Sequence, residues 1–390
     1  MVLVGEEERI LYHSPDPKGL YCYTPWIVHG FDGRLFVSFD LAGPSLKQLE
    51  GPKSDHGDYG SNQCRILCSD DRGATWTCCG VLPMLHARVF TAGKSVYILG
   101  HSGRLVISRS DDNGATWSEV SVLDPELGWH QGSGSIDYRH GRIYLSMEKA
   151  PYADHWAGGD PLLMSADVNA DLTRRESWTF SNPVKFQDVA AFVNTSPIHF
   201  DANCWLESSV VRVYDPRSCY YDPEDRSVLL FLRVNGPSHY AAVLRGREAP
   251  DGSLRLETLR RKDGTPGIFF PFPGGHMKFH IVYDEKERFY WMVASHVEHS
   301  TTFPVRGHME RRVLGLYVSW NLFDWQLTGI VAAGETRLCS RHYAALTIDG
   351  DDILVVSRSG DAEAKNTHDT DMITLHRVRD FRRLAVPPVE

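Results

Sequence analysis

Two near-identical octapeptides constrain this chain more than any other part of it. Ser69-Asp70-Asp71-Arg72-Gly73-Ala74-Thr75-Trp76 and Ser110-Asp111-Asp112-Asn113-Gly114-Ala115-Thr116-Trp117 share the pattern S-x-D-x-G-x-T-W and begin 41 positions apart. Each has the chemistry of a tight hairpin. Asp71 and Asp112 are placed to accept hydrogen bonds from the backbone of their own turn, Gly73 and Gly114 take positive φ without steric cost, and Trp76 and Trp117 offer flat faces to a neighbouring sheet. A period near 40 residues matches one small sheet of a radially repeated β fold.

The rest of the chain agrees. Runs rich in Val, Ile, Phe and Tyr, separated by Gly, Asp and Asn turns, recur from end to end, with no amphipathic helix longer than about ten residues. The expected fold is all-β, a six-bladed β-propeller forming one domain over residues 1–390. The first blade begins near Trp26-Ile27-Val28 and the second near Arg88-Val89-Phe90, each ending in an octapeptide. The third runs over residues 134–178, with a degenerate turn near Trp178, and the fourth over 207–244. The fifth covers 277–325, ending in a second degenerate turn, Ser319-Trp320-Asn321-Leu322-Phe323-Asp324-Trp325. The last, over 343–376, would be closed by Ile10-Leu11-Tyr12.

Charge and composition exclude some functions. The 41 basic and 50 acidic residues give a net charge of −9, and no basic block or arginine-aromatic stripe is present, so no nucleic-acid partner is expected. No apolar run reaches the roughly 18 residues of a membrane span. Glu6, Glu7, Glu8 and Arg9 stand where a secretory leader would be apolar; the expectation is a cytoplasmic protein, or a mature chain whose leader was removed. Eight cysteines without a C-x-x-C pair read as buried free thiols. His276 and His280 form an H-x-x-x-H, but on a strand the rings lie roughly 13 Å apart, and the acidic loops over 361–363 and 369–371 read as solvated. No metal and no cofactor is expected.

The octapeptides resemble the Asp-box of the sialidase (neuraminidase) superfamily. That resemblance implies an enzyme that grips a sugar carboxylate with three arginines, attacks with a tyrosine activated by a glutamate, and protonates the leaving group with an aspartate. Glu207 in Cys204-Trp205-Leu206-Glu207-Ser208 is similar to the family's glutamate, and Arg233 after Leu229-Leu230-Phe231-Leu232 to the arginine that follows it. Arg312, with Arg311 as rival, is similar in place to the last arginine, and Tyr343 in His342-Tyr343-Ala344-Ala345-Leu346 to the nucleophile. Asp55, His56 and Asp58 all lie where the acid belongs, and Asp58 is taken for that role. The chain departs from the family in two places. Tyr23-Thr24-Pro25 stands where an Arg-Ile-Pro opens the first blade, and Val355-Val356-Ser357-Arg358 lacks the supporting glutamate.

Histidines add a second pattern. His86, with Arg88, His101 and His130 fall in loops that can converge on a propeller axis, and an imidazole suits proton abstraction near neutral pH. This is similar to propeller lyases of uronate polysaccharides. Three readings follow: an exo-acting hydrolase of a terminal acidic sugar, sialic-acid-like or uronic; a uronate lyase working by β-elimination; and a non-catalytic glycan-binding propeller. For the first, Tyr343, Glu207 and Asp58 are the expected catalytic groups. Arg233, Arg312, Tyr23, His86, Arg88, His101, His130, His342 and Arg358 are expected to line an acidic glycan.

Overall fold

The two octapeptides fold in the same way. Asp71 Oδ1 accepts from the Thr75 amide at 2.8 Å and Oδ2 from the Thr75 hydroxyl at 2.6 Å, and Asp112 does the same with Thr116 at 2.8 and 2.6 Å. Gly73 and Gly114 have φ of 83° and 85°. A Cβ on Gly114 would lie 2.4 Å from the Phe36 ring, so the turn needs glycine for contact as well as for conformation. The degenerate turn of the fifth blade keeps the geometry with other residues. Asn321 Oδ1 accepts from the amides of Phe323 and Asp324, and Leu322 takes the left-handed conformation at φ 73°. Trp76, Trp178 and Trp325 each donate their indole N–H to a carbonyl of their own turn.

The computed structural model describes the chain apart from residues 1, 7, 131, 133, 151–157, 190–203, 236–238, 262, 300–308 and 387–390 and the side chain of Asp58. Six antiparallel sheets follow one another along the sequence. The first four consist of Tyr21–His29, Leu35–Ala42, Gln63–Ser69 and Thr77–Leu82; of Leu85–Ala92, Ser95–His101, Leu105–Ser110 and Ser121–Asp124; of Trp129–His130 and Asp137–Arg139 with Arg142–Lys149, Asp160–Asp167 and Trp178–Phe180; and of Cys204–Val211, Ser227–Asn235, Tyr240–Glu248 and Leu254–Thr258, joined by Phe269–Pro271. The fifth holds His280–Asp284, Phe289–Ser295, Val313–Ser319 and Gln326–Ala333. The sixth holds Arg341–Asp349, Asp352–Ser359 and Met372–Val378, and Arg9–His13 pairs with its outer strand as expected. This is a six-bladed propeller. The third blade differs from expectation in its first strand, which is broken into two short pieces that both pair with Arg142–Lys149.

Alternating side chains of the inner strands fill the seams between blades, where Trp205, Trp291 and Phe36 are fully buried. Cys22, Cys64, Cys68 and Cys204 are buried free thiols, whereas Cys78 and Cys219 are exposed.

One irregularity recurs. The first strands of blades one, two, four and six each carry a bulge that sets two residues against one of the partner strand and so adds one residue to the register, between Tyr23 and Trp26, Leu85 and Arg88, Leu206 and Ser209, and His342 and Ala345. The first residue of each bulge is left-handed every time: Thr24 at φ 34°, His86 at 52°, Glu207 at 57° and Tyr343 at 53°. Such a conformation costs of order 1–3 kcal/mol for a non-glycine residue. A bulge re-aims the side chain it carries.

Closure of the sixth blade by the N-terminal strand also buries an ion pair, in which Glu8 meets Arg341 in bidentate fashion at 2.7 and 2.8 Å. Removing residues 1–13 exposes an unpaired edge and is expected to lower the thermal midpoint by roughly 5–10 °C. A truncated chain that melts with the full one would show that the strand adds nothing to closure.

Candidate active site

Three of the four bulges bring ionisable groups into one neighbourhood. Tyr343 Oη donates to Glu207 Oε1, and Arg233 Nη1 donates to Glu207 Oε2 at 2.9 Å and to Tyr343 Oη at 2.6 Å. Arg233 is fixed by a third bond, from Nε to the His276 carbonyl at 2.9 Å. Tyr343, Glu207 and Arg233 are 7%, 3% and 4% exposed, so the contact forms in a low-dielectric setting. Burial raises the Glu207 carboxyl, but the Arg233 charge and the bonds from Tyr343 and Arg233 outweigh it and hold Glu207 below its ordinary value. Burial pushes the Tyr343 phenol up to about 12, against the pull of Arg233. At neutral pH the pair is a carboxylate facing a neutral phenol, the arrangement in which the base is ready and the nucleophile still holds its proton.

Two further guanidinium groups surround the tyrosine. The Cζ atoms of Arg233, Arg311 and Arg358 lie 5.8, 5.5 and 5.2 Å from the Tyr343 ring centre. Arg311 Nη1 lies 3.2 Å from His342 Nδ1, and Arg358 stacks over the Tyr23 ring at 4.0 Å. Burial brings Arg311 down to about 9. His342 is held well below its ordinary value by burial and by Arg311 and Arg358, so it is neutral.

Tyr23 donates its hydroxyl to Asp369 Oδ1 at 2.6 Å, and the Tyr59 hydroxyl reaches Asp369 Oδ2 at 2.7 Å. Burial raises Asp369, but bonds from His368, Tyr23 and Tyr59 overcome it and leave the carboxyl far below the ordinary range. The loop reading of 369–371 as solvated is thus corrected: Asp369 is 5% exposed and fully engaged, and Asp371 is fully buried. Asp55 faces outward, 2.7 Å from Arg104 and 3.3 Å from His56. Asp58 opens the short turn Asp58–Gly60, and its side chain lies outside the described residues.

Two expected lining residues lie elsewhere. Arg312 turns away and grips Glu298, with Nε 2.9 Å from Oε2, and the Gly334 carbonyl; its neighbour Arg311 faces Tyr343. Both precede the strand Val313–Ser319, and only Arg311 faces the tyrosine. Arg88 is buried in the seam between the second and third blades, donating to the carbonyls of Gly134 and Ser146. His86, His101 and His130 do come together, with ring centres 4.8–5.3 Å apart.

Sequence reasoning missed the residues that brace the bulges. Asp40 Oδ1 accepts from the His86 amide at 2.9 Å, Glu148 Oε1 from the Ser208 amide at 3.3 Å, and Lys278 Nζ donates to the Ala344 carbonyl at 2.9 Å. All three are buried, and burial draws Lys278 down to about 7. Asp40 and Lys278 are charged residues between apolar neighbours, Phe39-Asp40-Leu41 and Met277-Lys278-Phe279, which is the available signal; Glu148, followed by Lys149, carries none.

No family model and no curated protein matches the sequence. Solved structures do match. A protein of unknown function from Dyadobacter fermentans is 13% identical, with a TM-score of 0.56 over 95% of this chain and 99% of that one. A mutant of Trypanosoma rangeli sialidase that displays trans-sialidase activity is 14% identical, with a TM-score of 0.60 over 97% of this chain. This chain spans 60% of that sialidase. The NanB sialidase of Streptococcus pneumoniae is 10% identical, with a TM-score of 0.58 over 97% and 71% of the two chains. The likeness is one of fold.

Breaking the buried Arg233–Glu207 pair leaves a carboxylate without its main counter-charge. Arg233→Met is therefore expected to cost about 3–5 kcal/mol in chemical denaturation at pH 7, whereas Arg312→Ala, on the half-exposed pair, costs at most about 1 kcal/mol. Glu207 has a depressed folded pKa, so its contribution is fully present above the ordinary value of 4.5 and is lost as pH falls through the folded one. The gap between wild type and Arg233→Met should accordingly narrow in acid.

Proposed function

We propose that the protein is an exo-acting glycoside hydrolase that releases a terminal acidic sugar, sialic-acid-like or uronic, from a glycan. The observation that carries this reading is the buried contact of Tyr343 with the Glu207 carboxylate inside a ring of three guanidinium groups. The fold shared with the two sialidases agrees with it.

In this reading Glu207 takes the phenolic proton as Tyr343 Oη bonds to the anomeric carbon. The glycosidic C–O bond breaks, and the leaving oxygen takes a proton from Asp58, whose turn is tied to the sixth blade through Tyr59 and Asp369. Water then cleaves the tyrosyl–sugar bond and restores both groups. A neutral phenol approaches a centre that carries a carboxylate more easily than a second carboxylate would. Planar guanidinium groups grip that carboxylate in bidentate fashion.

The departures from the sialidase pattern compensate each other in this scheme. Tyr23 stands where the first blade would supply an arginine, and Arg358 of the sixth blade lays its guanidinium over that same ring. The count of three is kept, with Arg233, Arg311 and Arg358 in place of the expected set.

Tyr343→Phe and Glu207→Ala are each expected to lower kcat at least about 100-fold with the fold intact. Arg311→Met and Arg358→Met should raise KM for the acidic sugar and leave a neutral analogue unaffected. The test is a panel of sialyl, uronyl and ulosonyl glycans read for released reducing sugar and for new ultraviolet absorbance. Free sugar without absorbance supports hydrolysis. New absorbance assigns β-elimination instead, and tight binding with neither signal assigns a glycan-binding propeller.

A further inference from the structure

The hydrolase scheme makes no use of the three histidines beside it. His86 sits on the bulge of the second blade, His101 ends that blade's second strand, and His130 lies on the first strand of the third. One ring nitrogen from each falls within 4.8 Å of the other two. We propose that His86, His101 and His130 bind a divalent transition-metal ion of the zinc class, each through one ring nitrogen.

Spacing is the first argument. His86 Nδ1 and His101 Nε2 are 3.0 Å apart. Two metal–nitrogen bonds of about 2.1 Å set at roughly 90–110° hold their nitrogens about 3.0–3.4 Å apart, so this pair already has the separation a shared ion imposes. His130, whose side chain is 22% exposed against 10% for His86, closes the set by a movement of about 1 Å.

The outer layer agrees. The carboxylates lie one layer out. Asp40 Oδ2 is 4.0 Å from His86 Nε2, and Glu148 Oε2 is 3.9 Å from His130 Nδ1. Imidazole ligands backed by buried carboxylates are the usual surroundings of such ions, where the outer group orients the ring and balances charge. His101 Nδ1 is buried with no hydrogen-bond partner among the described residues, which a hydrogen-bonded cluster serving only the fold does not explain.

Three imidazoles leave a fourth position of a tetrahedral ion open to water or a ligand oxygen. Imidazole nitrogen favours zinc, copper, nickel and iron over magnesium or calcium. The cluster borders the candidate active site, since Glu148, 3.9 Å from His130 Nδ1, accepts from the Ser208 amide next to Glu207.

The inference is independent of the hydrolase reading, because its test needs no substrate. Purified full-length protein, stripped with chelator and equilibrated with zinc sulfate, is expected to retain one zinc per chain after gel filtration, measured by plasma emission. His101→Ala and His130→Ala should each weaken zinc binding at least about 100-fold in calorimetric titration. Cobalt chloride added to the stripped wild type should give the intense visible bands of a tetrahedral nitrogen-ligated ion, a readout that does not depend on any variant folding. Zinc retained equally by wild type and variants, or wild type that holds neither zinc nor cobalt, would overturn the proposal and leave a hydrogen-bonded histidine cluster.

Discussion

Left-handed backbone at the start of the inner strands is the constraint on which this structure depends. A regular strand points alternate side chains into the two seams beside its blade. The one extra residue at each of the bulges that carry Glu207, Tyr343 and His86 turns those side chains out of the alternation. Three such positions cost several kcal/mol in sum. Buried charges offset part of that cost, Asp40 and Glu148 by accepting from amides of the second and fourth bulges and Lys278 by donating to a carbonyl of the sixth. A charged side chain bonded to backbone is costly to bury unless its partners are fixed. The braces and the bulges therefore require one another.

The same economy shapes the electrostatics of the site. Around Tyr343 the guanidinium groups of Arg233, Arg311 and Arg358 stand against the carboxylates of Glu207 and Asp369, all of them at least nine-tenths buried, while the chain as a whole carries −9. Protein-wide charge repels an acidic glycan weakly and over screened distances, whereas the guanidinium groups act at contact in a low dielectric.

The fold was largely legible because its signals are local. The octapeptides mark where third strands turn into fourth strands, and the six runs of alternating apolar residues needed only to be counted. Glu207, Arg233 and Tyr343 were legible through short strings that resemble a family. The choice between Arg311 and Arg312 was not, because both precede the strand Val313–Ser319 and no strand alternation fixes which of the two faces Tyr343. Arg88 misled for another reason. It follows the bulge that carries His86, and the one added residue sends it into the seam. Asp40 and Lys278 stood in plain view as charges between apolar neighbours, yet their purpose depends on strands far away in sequence.

Pseudo-symmetry links the two halves of the site. Asp40 lies on the second strand of blade one and braces the bulge of blade two; Glu148 lies on the second strand of blade three and braces the bulge of blade four. One carboxylate thus supports His86 and the other supports Glu207, from equivalent places. Glu148 also faces His130, so the brace of the tyrosine half reaches the histidine half. Glu148 therefore stands between the two halves, 3.9 Å from His130 Nδ1 on one side and 3.3 Å from the Ser208 amide, next to Glu207, on the other.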